Sequence, residues 1–334
     1  MPFSALSKRL MGRPEAELVA LGYWIRKLKP IEGLYRPVGT VFHVPPANVP
    51  TLWAYPLALS LLAGNHNIVR VPFSSPEVLI REFADLEGVQ LVRYGHEQGP
   101  TDLYSSQCDM RLIWGSDETI AAIRRSPLPA HAKEITFPER YSMSAIYAPA
   151  YLALDRGGRQ ALAERFSRDL FTYDQAACSS PRLLVWCGPG AHEAVATFYP
   201  LLNAHAPDTG QVLAKEAFAY RAIIDQPVSH YCPIGNALTV LSLDSLHGLC
   251  RAHCGGGLLY EYMTDDLDDL HGFIERQDQT LTTFGFDASR LREWARTAGG
   301  IDRIVPIGEA LTFNRIWDGY DLLHEFMRRV EVTV

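Results

Sequence analysis

Apolar positions along residues 39–44 are nearly unbroken, and Thr40, Val41, Phe42 and Val44 predict a buried strand. Asn48 and Pro50 open a predicted helix that runs to about Leu62, and residues 67–71 predict a second strand. The hydrophobic period thus changes from strand to helix and back, which is a βαβ unit. The alternation continues with a helix over 76–86, strands over 89–92 and 111–114, and a helix over 117–124 capped by Ser116. Near-continuous apolar strands alternating with helices favour a parallel sheet covered on both faces.

A second region follows Tyr141. It predicts helices over 160–170, 193–202 and 266–274, with strands over 182–187 and 237–241. The end of the chain, Arg329-Val330-Glu331-Val332-Thr333-Val334, alternates with period two, so it reads as a strand that needs a sheet to join, its own or a neighbour's. No internal repeat or low-complexity stretch interrupts this plan.

Length and composition narrow the class. A chain of 334 residues with 47% hydrophobic positions has material for two packed domains. Its 31 Lys+Arg against 38 Asp+Glu leave a net charge of −7 without a basic block, which excludes the phosphate-neutralising strategy of nucleic-acid proteins. The longest apolar run, 55–63, is under half of the ~20 residues that span a bilayer. Lys8, Arg9 and Arg13 precede no signal-type apolar region, so a cytoplasmic protein is expected. Six dispersed cysteines suit thiols rather than a disulfide scaffold.

Several constellations could carry chemistry. Cys178 lies among small residues in Asp174-Gln175-Ala176-Ala177-Cys178-Ser179-Ser180-Pro181-Arg182, just before a strand. It is either a nucleophile projecting into a cleft or an inert small core residue. Asn48, in Pro45-Pro46-Ala47-Asn48-Val49-Pro50, is either an amide donor to an oxyanion at a sheet edge or simply the cap of the next helix. Arg70, at a strand end, could pair with a nucleotide phosphate or ribose, or be solvated. Gly115-Ser116 stands at a strand-to-helix turn, where exposed N–H groups suit a pyrophosphate.

Other patterns carry less. Gly188-Pro189-Gly190 mimics the start of a dinucleotide fingerprint, but its third glycine position is Glu193, so it reads as an ordinary turn. His247, Cys250, His253 and Cys254 raise a metal site; their spacing puts His247, Cys250 and Cys254 on one face of an assumed helix, without a second ligand cluster. A buried helix face is the default there, and no metal is expected. Gly255-Gly256-Gly257 reads as a helix stop and tight turn. No Gly-x-Ser-x-Gly elbow is present.

Taken in order, Pro45 through Pro50, Gly64-Asn65 through Arg70-Val71-Pro72, Gly115-Ser116, and Gln175 through Cys178 to Arg182 resemble the aldehyde dehydrogenase superfamily. The chain is most similar to its fatty-acid (acyl-CoA) reductase branch, the LuxC-type family that makes aldehyde for bacterial bioluminescence. That branch resemblance adds Phe137-Pro138-Glu139-Arg140-Tyr141-Ser142, the run 300–308, and Trp317-Asp318-Gly319-Tyr320. It covers roughly residues 36–332, and the chain looks shorter than typical members at its N-terminus.

The resemblance implies an α/β, aldehyde dehydrogenase-like fold of two α/β domains with Rossmann-like parallel sheets and a C-terminal oligomerisation strand. The expected divisions are 1–142 for the nicotinamide cofactor, 143–309 for catalysis, and 310–334 as the oligomerisation segment. Cys178 would be the acyl-accepting nucleophile, with Asn48 and the Cys178 N–H as oxyanion donors. Pro46, Ala47, Arg70, Gly115 and Ser116 would bind the cofactor; arginine at position 70, where the superfamily has lysine, leans toward NADPH over NADH. The hydrolytic glutamate of the superfamily has only Glu139 nearby, in Thr136-Phe137-Pro138-Glu139-Arg140-Tyr141-Ser142. The segment Cys232-Pro233-Ile234-Gly235-Asn236 lacks the carboxylate that grips the nicotinamide ribose.

The activity so implied is NAD(P)H-dependent reduction of an acyl thioester, carried on coenzyme A or a carrier protein, to an aldehyde through an acyl-cysteine. A homo-oligomer is expected, along with an acyl-transferring partner enzyme or carrier protein. Oxidation of a free aldehyde to acid and a non-catalytic acyl- or nucleotide-binding scaffold are the alternatives.

Overall fold

The computed structural model describes residues 3–14, 16–29, 31–202 and 209–333. The chain forms two compact units, one of Met1–Glu139 with Phe313–Val334 and one of Arg140–Thr312.

In the first unit, strands β1 (Tyr35–Pro37), β2 (Thr40–Val44), β3 (His66–Arg70), β4 (Val89–Val92), β5 (Met110–Trp114) and β6 (Lys133–Phe137) alternate with helices. The helices are α1 (Phe3–Met11), α2 (Ala16–Lys27), α3 (Ala54–Leu62), α4 (Glu77–Ala84), α5 (Gln98–Ser106) and α6 (Asp117–Arg124). Strands β2 to β6 make a five-stranded sheet in the order β4-β3-β2-β5-β6, with every pair parallel. Both of its faces are covered. Phe42, Val44, Ile68 and Ile113 pack with Ile120 and Ile123 of α6 on one side. Val41, Met110 and Leu112 pack with Tyr55 and Leu59 of α3 on the other. Every residue of α3 from Ala54 to Leu61 is buried, and each large side chain so covered contributes roughly 1.5–3 kcal/mol.

The second unit carries β7 (Tyr141–Tyr147), β8 (Leu183–Cys187), β9 (Val228–Ile234), β10 (Leu238–Leu243), β11 (Leu258–Thr264), β12 (Asp278–Phe284) and β13 (Arg303–Pro306). These form a seven-stranded sheet ordered β13-β12-β7-β8-β11-β10-β9, parallel except for the edge strand β9. Helices α7 (Ala148–Leu152), α8 (Arg156–Phe171), α9 (Ala191–Phe198), α10 (Thr209–Asp225) and α11 (Ala288–Thr297) belong to it. β7 is hard to read from the sequence because its Ser142 and Ser144 are polar yet fully buried. Each is paired instead, Ser144 Oγ with Thr282 Oγ1 at 2.5 Å, and burial of a hydroxyl is tolerated when its hydrogen bond is made.

Several expectations need correction. The boundary falls at 139/140 rather than 142, and the stretch from Phe313 returns to the first unit instead of standing apart. There it forms the hairpin β14 (Ile316–Trp317) and β15 (Tyr320–Asp321), then α12 (Leu322–Glu325) and β16 (Met327–Arg329). Trp317-Asp318-Gly319-Tyr320 is the hairpin itself, with Asp318 and Gly319 at φ 49° and 80°, the two left-handed residues that a tight right-twisting hairpin requires. Leu322, Leu323 and Phe326 are buried, and Asn65 Nδ2 donates to Phe326 O at 3.0 Å. β16 pairs antiparallel with β1; residues 330–333 are not a strand in the single chain, and Val334 lies outside the described residues.

The helix expected over 266–274 is only a 3-10 turn, Leu267–Leu270. Asp266 caps that turn by accepting the Asp268 N–H at 2.9 Å. No helix covers 244–256 either, and positive φ at Gly248, Gly255, Gly256 and Gly257 explains why. Among the described residues no helix is long and apolar enough to cross a membrane.

Candidate active site

In the first unit the strand order reverses between β2 and β5, because α3 leads to β3 on one side while the chain later crosses to β5 on the other. Ligands of open α/β sheets bind at the carboxyl ends of strands at such a switch point. The loop after β2 holds Pro46, Ala47 and Asn48; the turn after β5 holds Gly115 and Ser116; Arg70 ends the neighbouring β3. Six of the seven expected site residues are therefore at one edge of one sheet.

Their local geometry is specific. Asn48 is exposed and does not cap α3: that helix starts at Ala54 with Trp53 in the cap position. Prolines 45, 46 and 50 keep the intervening chain out of the helix, and Ser74 Oγ and Ser75 Oγ tie it down by donating to Ala47 O and Pro50 O at 3.2 and 2.9 Å. Ser116 does cap α6, its Oγ accepting the Thr119 N–H at 3.3 Å. The Gly115 N–H already donates to Phe137 O at 3.1 Å, so what Gly115 offers is its missing side chain. Arg70 is half-buried, lies 4.8 Å over the Tyr94 ring, and donates to Tyr94 O and Gly95 O. It is a fixed guanidinium rather than a loosely solvated one.

The seventh residue, Cys178, is in the second unit, half-buried in a turn that precedes β8. Ser180 N–H donates to Ala177 O at 3.0 Å, so Cys178 occupies the second position of a β-turn. Ser142 Oγ at the start of β7 donates to Cys178 O at 2.6 Å, and Arg182 N–H donates to Ser142 O at 2.9 Å. Just upstream, Tyr173, Asp174 and Gln175 are all left-handed, with φ of 57°, 52° and 63°. Such a conformation costs a non-glycine residue on the order of 1–3 kcal/mol and persists only where surrounding contacts impose it. In the sequence Gln175 and Ser142 stand only as members of motifs; an amide three residues before a candidate nucleophile is the signal present there.

Two of the other thiols differ in kind. Burial pushes the Cys108 thiol up to about 11 and the Cys187 thiol up to about 12, which keeps both protonated and unreactive. All six cysteines are present as thiols rather than disulfides. His247, Cys250, His253 and Cys254 do not share a helix face, because no helix forms there, and among the described residues no cluster of His, Cys, Asp or Glu is arranged to hold a metal. His253 is engaged at both nitrogens, with Gly255 N–H donating to Nδ1 and Nε2 2.9 Å from Leu258 O. Gly188 and Gly190, with φ of 85° and 83°, form the turn between β8 and α9. Glu139 is exposed at the end of the first unit, and Cys232 to Asn236 form the β9–β10 hairpin, with Gly235 at φ 58°.

Comparison with known proteins bears on this arrangement. Aldehyde dehydrogenase 21 from Physcomitrella patens, solved with the reaction product succinate, is 11% identical with a TM-score of 0.72, over 98% of this chain and 81% of that one. An NAD-dependent benzaldehyde dehydrogenase from Corynebacterium glutamicum is 13% identical with a TM-score of 0.69, over 98% and 79%. The Mycobacterium tuberculosis aldehyde dehydrogenase complexed with NAD+ is 15% identical with a TM-score of 0.68, over 98% and 80%. At these identities the likeness is one of fold. A comparison with curated proteins found no match. The profile of the acyl-CoA reductase (LuxC) family matches residues 25–198, more than half of the chain and a span that includes Asn48, Arg70, Ser116 and Cys178. This chain belongs to the LuxC acyl-CoA reductase family, an oxidoreductase on the aldehyde dehydrogenase fold.

Proposed function

We propose that the protein reduces an acyl thioester to an aldehyde through a covalent acyl group on Cys178, using a nicotinamide cofactor. The observation that carries this reading is Cys178 itself: a half-buried thiol at a braced turn, within the segment matched by the acyl-CoA reductase family. The Cys178 thiolate attacks the thioester carbonyl, the carbonyl oxygen takes up negative charge, and the leaving thiolate departs. The N–H of Cys178 is a proposed donor to that oxygen; loss of one such donor typically raises a barrier by ~2.7–4 kcal/mol. When bound, the nicotinamide cofactor supplies the hydride that reduces the acyl group. The resulting thiohemiacetal collapses, releases aldehyde and regenerates Cys178, with no water consumed. A hydrolytic base is then unnecessary, which accords with an exposed Glu139 at the end of the first unit.

The edge residues suit such a cofactor. Arg70 is a permanent cation held on Tyr94, able to pair with a phosphate in a bidentate manner, and this favours NADPH. Gly115 leaves room at the start of α6, where an ideal Cβ would already lie 2.9 Å from Thr119 Cγ2. Pro46 and Ala47 line the same edge. Residues 331–333 beyond β16 are proposed to pair with a second copy of the chain.

A panel of acyl thioesters, on coenzyme A and on a carrier protein, assayed for aldehyde with each reduced cofactor, tests the reading. Cys178→Ala should lose acylation and turnover while cofactor affinity stays within about twofold. Undiminished turnover in that variant would exclude the assignment, and activity confined to free aldehyde with the oxidised cofactor would favour the oxidative alternative.

A further inference from the structure

The geometry points to Gln175 as a positioning residue that aims the Cys178 turn for acyl transfer. The inference rests on the proposed role of Cys178 as the acyl acceptor.

Gln175 is 1% exposed and stands three residues before Cys178. Its carboxamide is fully engaged. Nε2 donates to Pro181 O and to Leu258 O, both at 2.8 Å, and Oε1 accepts the Gly257 N–H at 3.0 Å. Pro181 lies three residues after Cys178, so this one side chain closes the base of the turn whose apex carries the thiol. The same amide fastens that base to the start of β11, a central strand that cannot shift alone.

The facing loop is shaped to receive it. Gly255, Gly256 and Gly257 are left-handed, with φ of 71°, 64° and 81°, and run against the left-handed stretch 173–175. Gly256 N–H donates to Asp174 O at 2.9 Å. A Cβ on Gly255 would come 3.0 Å from Asp174 O, and one on Gly257 would come 2.0 Å from Ala237 O. Three consecutive non-glycine residues do not hold positive φ by local preference, so the conformation upstream of Cys178 depends on these cross-bonds. Ser142 holds the apex separately, through Cys178 O. Removing the Gln175 bonds therefore leaves the sulfur in place but frees the backbone around it. Displacement of a thioester needs that N–H correctly directed, whereas simple alkylation of the thiol does not.

The test compares two reactions of the same sulfur in the full-length protein. Gln175→Met keeps the length of the side chain and removes all three bonds. The rate of Cys178 acylation by a thioester, read by intact mass, should fall about 10- to 100-fold, with thioester KM and the rate of iodoacetamide labelling at Cys178 each within about threefold. Gln175→Glu keeps the acceptor for Gly257 and loses both donors; when protonated it can donate to one carbonyl again. Its acylation rate relative to wild type should therefore rise as pH falls. This second variant answers the question if Gln175→Met does not fold. Acylation within twofold of wild type in Gln175→Met, or acylation and labelling falling together with thermal stability, would overturn the inference, as would a flat rate ratio across pH for Gln175→Glu. Absence of any acyl adduct on Cys178 in the wild type would instead remove the proposed function, and the inference with it.

Discussion

His43 Nε2 lies 2.9 Å from Asn67 Oδ1, inside the parallel sheet of the first unit. Asn67 Nδ2 donates to Asn65 O at 3.0 Å, so the amide oxygen is the end turned toward the ring, and Nε2 must carry the proton. His43 Nδ1 is buried without a hydrogen-bond partner. Protonating it would place an unpaired charge in the interior, and burial accordingly lowers the pKa of His43 to about 4.

This sets a pH dependence of stability. In the unfolded chain a histidine takes up its proton near 6.5, so between about 6.5 and 4 the unfolded state binds more protons than the folded one. Stability from the neutral ring is fully present above pH 6.5 and is lost as pH falls through about 4, by about 3 kcal/mol in all at 1.36 kcal/mol per pH unit. His253, lowered to about 3 chiefly by burial, acts with the same sign. Urea midpoints across pH 4–7 should fall toward acid, and His43→Leu should flatten that slope by about half; an unchanged slope would contradict the assignment.

Arg70 is the expected determinant of cofactor choice. Hydrogen bonds to a charged group contribute about 1.5–3 kcal/mol, so Arg70→Ala should lower kcat/KM for NADPH by about 10- to 100-fold while altering NADH use little. Steady-state kinetics with both cofactors decide it, and equal losses for the two would assign Arg70 to structure alone.

Gly257 carries φ +81° with Ala237 O directly behind it. Gly257→Ala should destabilise the protein by about 1–3 kcal/mol and slow acylation of Cys178, because its N–H is the donor to Gln175 Oε1. Chemical denaturation together with single-turnover acylation measures both effects. A stable variant acylated at the wild-type rate would show that the two loops are not coupled.

Val330 N–H still donates to Leu34 O at 2.8 Å, beyond it residues 331–333 are not part of a strand, and Val332 is 68% exposed. A chain ending at Val330 should keep its fold, because Leu322, Leu323 and Phe326 still anchor the segment, and should run as a smaller species by light scattering. Retention of the full-length mass would rule out this segment as the pairing strand.

Much of the first unit was legible in the chain because its signals are local. β2, β4 and α6 follow from apolar period and from Ser116 standing three residues before Thr119. Cys178 and Asn48 were visible as residues of reactive type near strand ends. What sequence alone could not supply were the features made by long-range pairing. Buried serines conceal β7, since a hydroxyl is admitted to the core only once Thr282 or Cys178 O is in place to meet it. A supposed ligand helix is not formed: Gly248 is left-handed inside it, and Gly255, Gly256 and Gly257 after it are left-handed against the opposite loop. The return of Phe313–Val334 to the first unit likewise depends on a pairing with β1 nearly three hundred residues away. Local propensity determined which segments became strands and helices; tertiary structure decided which polar groups could be buried, since each required a partner that only the folded chain brings within hydrogen-bond reach.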